Sequence, residues 1–138
     1  MRAFFDTSAW LKIYVREPGT DRLFDISRTA EQTAICIICI PEAGAAMNRL
    51  RREGRMTAVQ YESTKRTMFD DVLATVVIEL TPDVLSTSFR LVENHPLRGM
   101  DALHLAAAIE WRADLFVAAD QRLCSVAALA GLKVEMIA

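Results

Sequence analysis

Ala34-Ile35-Cys36-Ile37-Ile38-Cys39-Ile40 is the longest apolar run in the chain, and its reading decides the fold. A strand built from it has no polar face to turn toward water, so it must be covered on both sides. Four more short apolar runs stand out, Ala3 to Phe5, Val76 to Leu80, Leu115 to Ala119 and Lys133 to Ile137. The segments between them carry helical spacing: Ala43, Ala46, Met47 and Leu50, then Leu85, Phe89 and Val92, then Leu123, Val126, Ala127 and Ala130. Breakers fall where helices end or begin. Pro18-Gly19 splits the first connection, Gly54 closes the helix that carries Glu42, Thr81-Pro82 reads as an N-cap followed by a first-turn proline, and Gly131 follows the last helix. Leu103 to Ile109 is apolar nearly all round and is expected to be the most buried helix. Strands alternating with helices predict an α/β three-layer sandwich, one domain over 1–138, with a central, mostly parallel five-stranded sheet and right-handed crossovers.

Composition bounds the function. With 138 residues there is room for one core and no second catalytic module. Apolar residues at 52% exclude a disordered chain. The 16 basic and 18 acidic residues sum to −2, so no global positive field holds nucleic acid or an acidic membrane surface, and any anionic ligand must be gripped locally. No run is long enough to span a bilayer, and Asp6 interrupts the N-terminal stretch where a signal peptide needs its apolar core, so the cytoplasm is the expected compartment. Cys36 and Cys39 form a C-x-x-C, but residues three apart in a strand point to opposite faces, which argues against a zinc or redox pair. Cys124 reads as core packing.

In an open parallel sheet, functional groups gather at the carboxyl ends of the strands. Asp6 directly follows the first strand, Glu42 follows the second after Pro41, and Asp120 follows the fourth. Asp101 opens the buried helix that leads into the fourth strand. Each has a plainer role open to it, since Asp near a helix N-terminus caps free amides and suits the helix dipole. Together, four carboxylates about 6 Å apart repel by roughly 3 kcal/mol per pair at an effective dielectric near 20. Bound cations or protons must relieve most of that. Oxygen-only ligation matches Mg²⁺ or Mn²⁺ rather than zinc, and the chemistry indicated is phosphodiester hydrolysis.

These residues resemble a family, the PIN-domain ribonucleases, and most closely the toxin half of VapBC-type toxin-antitoxin pairs. The matching motifs are Phe5-Asp6-Thr7-Ser8-Ala9, Pro41-Glu42, Met100-Asp101-Ala102-Leu103-His104-Leu105-Ala106 and Phe116-Val117-Ala118-Ala119-Asp120-Gln121-Arg122-Leu123, in order over essentially the whole chain. The resemblance implies a Mg²⁺- or Mn²⁺-dependent endoribonuclease toxin, homodimeric and inhibited by a small cognate antitoxin, with Asp6, Glu42, Asp101 and Asp120 as catalytic acidic quartet and metal ligands. Asp6 and Asp101 are the first choices for direct ligands, with Glu42 and Asp120 completing the site or holding waters. Ser8 or Thr7 would orient a carboxylate or a substrate phosphate, or cap the first helix. Ala118 departs from the pattern, since relatives often carry Thr or Ser there.

Residues 49–66 hold six cations, Arg51 and Arg52 among them, against two anions, a patch able to track an RNA backbone or simply to solvate a helix end. His104 reads as a packed core histidine, Asp70 and Asp71 as solvated, and Trp10, Tyr14 and Trp111 as core or interface anchors. Two other functions compete. An aspartyl-phosphate phosphatase also starts with Asp after its first strand, but it needs a second Asp where this chain has Ser8. A catalytically inactive PIN-like module that binds RNA or protein would have no reason to keep four mutually repelling carboxylates.

Overall fold

Five strands, β1 (Arg2–Phe5), β2 (Gln32–Cys36), β3 (Val76–Ile78), β4 (Leu115–Ala118) and β5 (Val134–Met136), form one sheet in the order β3-β2-β1-β4-β5. Every pairing is parallel, which sharpens the expected "mostly parallel" sheet. The helices are α1 (Thr7–Leu11), α2 (Thr20–Thr29), α3 (Cys39–Arg52), α4 (Ala58–Leu73), α5 (Pro82–Asn94), α6 (Gly99–Trp111) and α7 (Gln121–Leu129). This computed structural model describes residues 1–137; Ala138, the last residue of the expected 1–138 domain, lies outside the described residues.

The two faces of the sheet are two separate cores. Ala3, Phe5, Ile35, Leu115 and Val117 pack with Trp10 of α1, Leu23 and Ile26 of α2, Met47 of α3 and Met68 of α4. Phe4, Ala34, Cys36, Phe116 and Ala118 pack instead with Val84 and Leu91 of α5, with α6, and with Leu123 and Val126 of α7. Alternate side chains of a strand point to opposite faces, so one four-residue strand feeds both cores. Phe4 and Phe116 lie in register on neighbouring strands and stack with ring centres 5.8 Å apart. Helix α6 is buried along most of its length, as its all-round apolar sequence predicts, and Ala106, Ala107 and Ala108 are fully enclosed.

The apolar run from Ala34 to Ile40 is not one long strand. β2 ends at Cys36, Ile37 donates a last hydrogen bond to the Ile78 carbonyl at 2.9 Å, and α3 begins at Cys39. Periodicity cannot separate a buried strand from a buried helix start, so the continuous hydrophobicity hid the boundary. The two thiols still diverge: Cys36 packs in one core and Cys39 in the other, and both are free. The helix signals place their elements well. Thr57 and Gln60 close a reciprocal capping box on α4, with bonds of 3.1 and 2.9 Å, and Thr81 caps α5 ahead of Pro82. Gly54 and Gly131 follow α3 and α7 at φ of 73° and 94°, where a side chain would be strained. Asp71 is not simply solvated; the Tyr14 hydroxyl donates to it at 2.7 Å and ties the end of α1 to α4.

Candidate active site

The strand order fixes where a site forms. From β1 the chain steps outward to β2 and β3 with its helices on one face, then crosses back to β4 and β5 with its helices on the other. Right-handed crossovers demand that change of face. The direction reverses between β1 and β4, and a crevice opens outside the carboxyl ends of those two strands. Asp6 is the residue after β1, and Asp120 lies two residues beyond the end of β4. Glu42 stands in the first turn of α3 and Asp101 in the first turn of α6.

All four carboxylates thus sit at helix N-termini, and two perform the capping task outright. Asp6 caps α1 by accepting the Ala9 N–H at 2.9 Å, and Asp120 caps α7 by accepting the Leu123 N–H at 2.8 Å. Capping and site membership coexist because a carboxylate has about four lone-pair directions and a cap uses one. Positive partial charge at four helix ends also offsets part of the repulsion that the sequence reading charged to bare carboxylates.

Hydroxyls and one imidazole fix the orientation of the acids. The Ser8 hydroxyl lies 2.7 and 2.9 Å from the two Asp6 oxygens and donates to that carboxylate, while accepting the Ala119 N–H at 3.0 Å. Ser8 therefore locks the β1 end to the β4 end and takes the orienting role, leaving the cap to Asp6. The Thr7 hydroxyl donates to Glu42 Oε1 at 2.5 Å. His104 Nε2 lies 2.6 Å from that same oxygen and 3.1 Å from Thr7 Oγ1, which the Nε2–H tautomer satisfies. The ring is 2% exposed, so it is packed as the sequence suggested, yet its polar edge belongs to the site. Periodicity identified its burial; only the fold supplied Glu42 as its partner. Ala118 is wholly buried in the core, and the hydroxyls that touch carboxylates come from Thr7 and Ser8.

Arg98 is a site residue that the sequence reading did not single out. Its Nε donates to Asp101 Oδ2 at 3.0 Å across a single helical turn. An arginine three residues before an aspartate at a helix start was the available signal.

The electrostatics register the convergence. Burial pushes the Asp6 carboxyl up, the Ala9 and Ser8 hydrogen bonds and His104 pull it down, and the Asp101 charge adds a further upward push. The His104 bond, followed by the Thr7 bond, holds Glu42 below the ordinary range against its partial burial. Cys124 is pushed up to about 11, first by burial and then by the charges of Asp6 and Asp120. Asp6 thus senses the Asp101 charge, and Cys124 senses both Asp6 and Asp120.

Does this donor set suit a divalent metal? Asp6 is 5% exposed, its hydrogen-bond donors are neutral, and no cation contacts it among the described residues. A buried carboxylate in that condition calls for a counter-charge or a proton. Among the described residues no three His, Cys, Asp or Glu side chains form a ready-made cage. The donors at this edge are carboxylate oxygens, a set that would suit a hard ion such as Mg²⁺, which keeps several waters and uses one or two carboxylates directly, better than zinc.

The basic patch is elsewhere. Arg51 stands nine residues beyond Glu42, about 13 Å along α3. It donates to Asn48 at 2.7 Å and lies over the Tyr61 ring at 4.5 Å, with Lys65 at 5.3 Å from the same ring. The structure does not bring Arg51 or Arg52 to the carboxylates.

A doubly flanked parallel sheet with acidic residues at its switch point defines a class of domain, and the sequence agrees: the chain belongs to the PIN domain family, which it matches over residues 3–129. It is 31% identical over 133 residues to ribonucleases VapC45 and VapC49, from two strains of Mycobacterium tuberculosis, covering 95% of this chain and 92% of each relative. Among solved structures, the fold is similar to VapBC2 from Rickettsia felis bound to a promoter DNA fragment, with a TM-score of 0.73, 13% identity and both chains covered in full. It is also similar to VapC20 of M. tuberculosis, a sarcin-ricin loop cleaving toxin, with a TM-score of 0.67, 15% identity and 94% and 95% coverage.

Proposed function

We propose that this protein is a Mg²⁺- or Mn²⁺-dependent endoribonuclease, the toxin of a VapBC-type pair, with Asp6, Glu42, Asp101 and Asp120 as its metal-binding and catalytic carboxylates. The observation that supports the reading is a buried Asp6 that no cation touches among the described residues, at the same carboxyl edge of the sheet where Glu42, Asp101 and Asp120 stand at helix N-termini. When bound, the divalent ion supplies an activated water and neutralises charge on the phosphodiester undergoing in-line hydrolysis. The chain's own residues do the positioning. Ser8 and the Ala9 amide aim the Asp6 oxygens, Thr7 and His104 hold Glu42 by one oxygen and leave the other free, and Asp120 is held at the neck of α7.

An RNA substrate, a small antitoxin as inhibitor, a homodimeric state and a cytoplasmic location belong to the same reading. The named relatives and VapBC neighbours support it, as do apolar side chains that α4 leaves exposed at Val59, Phe69 and Leu73, surface of the kind that partners cover. No helix is long and apolar enough to cross a membrane among the described residues. Calorimetric titration with Mn²⁺, followed by RNA cleavage with and without chelator, tests the reading. Metal binding and chelator-sensitive cleavage are expected, and both should be lost in Asp6→Asn. Absence of binding at millimolar Mn²⁺ would favour the inactive RNA- or protein-binding module instead.

A further inference from the structure

The cation nearest the acidic centre is not part of the basic patch. Arg98 precedes α6, and its guanidinium bonds Asp101 Oδ2 at 3.0 Å while remaining 79% exposed. An exposed pair of this kind is weak, so the side chain can exchange partners. Arg98 also stands between two hollows that meet at the acidic edge. One, of about 600 Å³, runs from Glu42 and Asp101 toward Phe89, Val92 and Met100, and Arg98 is the one cationic residue lining it among the described residues. The other, of about 750 Å³, runs from Asp101 and Asp120 toward Gln121 and Ser125, and Arg98 shares its lining with Arg122. The residue contributes no side-chain hydrogen bond to the cap of α6, so helix initiation does not require its guanidinium.

From this geometry we propose that Arg98 alternates between two anions. In the free protein it is the counter-ion of Asp101, and with substrate present it grips a backbone phosphate of a single RNA strand lying across both hollows, releasing Asp101 for metal. A planar guanidinium suits either partner, since it forms paired hydrogen bonds with carboxylate and phosphate alike. The inference rests on the nuclease reading and extends it by naming a substrate-positioning residue that contacts a site carboxylate directly, whereas Arg51 lies about 13 Å from Glu42 along α3.

Because Arg98 opposes metal and favours RNA, its removal moves the two affinities in opposite directions. The test is Arg98→Gln, measured by anisotropy with a fluorescent single-stranded RNA oligomer in chelator over a salt series, and by calorimetry with Mn²⁺ alone. RNA affinity should fall about tenfold, the slope of log affinity against log salt should become shallower by about 0.7, and Mn²⁺ affinity should rise severalfold. Thermal unfolding should be unchanged, because the side chain is exposed and caps nothing. If the parent protein binds both ligands and the variant is indistinguishable from it, or loses Mn²⁺ affinity, the role of Arg98 is overturned while the nuclease reading stands. If the parent protein binds neither Mn²⁺ nor RNA, both fall together.

Discussion

The two ends of the sheet treat the same residue types in opposite ways. At the amino ends of the strands, Asp114 accepts the Arg2 N–H at 2.7 Å and returns its own N–H to the Arg2 carbonyl at 2.8 Å. Glu31 pairs with the terminal amine of Met1 at 3.4 Å. There each acid has its own donor. At the carboxyl ends, Asp6, Glu42, Asp101 and Asp120 have Arg98 and His104 between them. A parallel sheet creates this asymmetry, because returning helices run against the strands and bring their N-termini to the carboxyl edge, where partial positive charge tolerates clustered acids. One edge is satisfied and contributes stability. The other keeps a deficit of positive charge, which is what a divalent ion would fill.

The contrast breaks most sharply on exchange of one carboxylate at each edge. Asp6→Asn is expected to lower metal-dependent RNA cleavage at least a hundredfold, whereas Asp114→Asn leaves cleavage near the parent level. Stability should move the other way. The folded state holds the Asp6 proton more tightly than the unfolded chain does, so ionising this group disfavours folding as pH rises from the unfolded value through the folded one. The neutral amide escapes that penalty, and the Tm of Asp6→Asn above pH 7 should equal or exceed the parent's.

His104→Ala comes next. It removes a buried donor from Glu42 and opens space beneath α6, so unfolding free energy should drop by about 1–3 kcal/mol, read by denaturant titration, with cleavage reduced roughly tenfold. Ser8→Ala removes a bond that holds Asp6 in its ionised form. Its carboxyl should then keep a proton to higher pH, so the pH profile of Mn²⁺ affinity shifts upward and affinity near pH 5 falls severalfold. An unmoved profile would mean that Ser8 serves the loop alone.

At the satisfied edge the change is smaller and favourable. Arg112 ends α6 in the left-handed region at φ 62°, so Arg112→Gly should raise stability by roughly 1 kcal/mol without touching cleavage. The least effect belongs to the far end of α3. Replacing Arg51 and Arg52 with Gln should alter only the salt dependence of RNA binding, and by less than Arg98→Gln does.

By itself, the sequence determined the class of fold, the order of its elements and the edge of the sheet at which Asp6, Glu42, Asp101 and Asp120 stand. Continuous apolar runs specify strands covered on both faces, glycines and prolines punctuate the helices, and an acid placed just after a strand or at a helix start has its edge of the sheet assigned in advance. The end of β2 was not legible, because Ile37, Ile38 and Ile40 are as apolar as a strand while leading into a helix. The partners of the acids were decided only by tertiary structure. Thr7, Glu42 and His104 are separated by 35 and 62 residues along the chain and meet through one oxygen atom. Ser8 bonds the Ala119 amide from 111 residues away. Periodicity reports which face a side chain takes, but a hydrogen bond between distant segments depends on the packing of β1, α3, α6 and β4 against one another, and no local pattern encodes that distance.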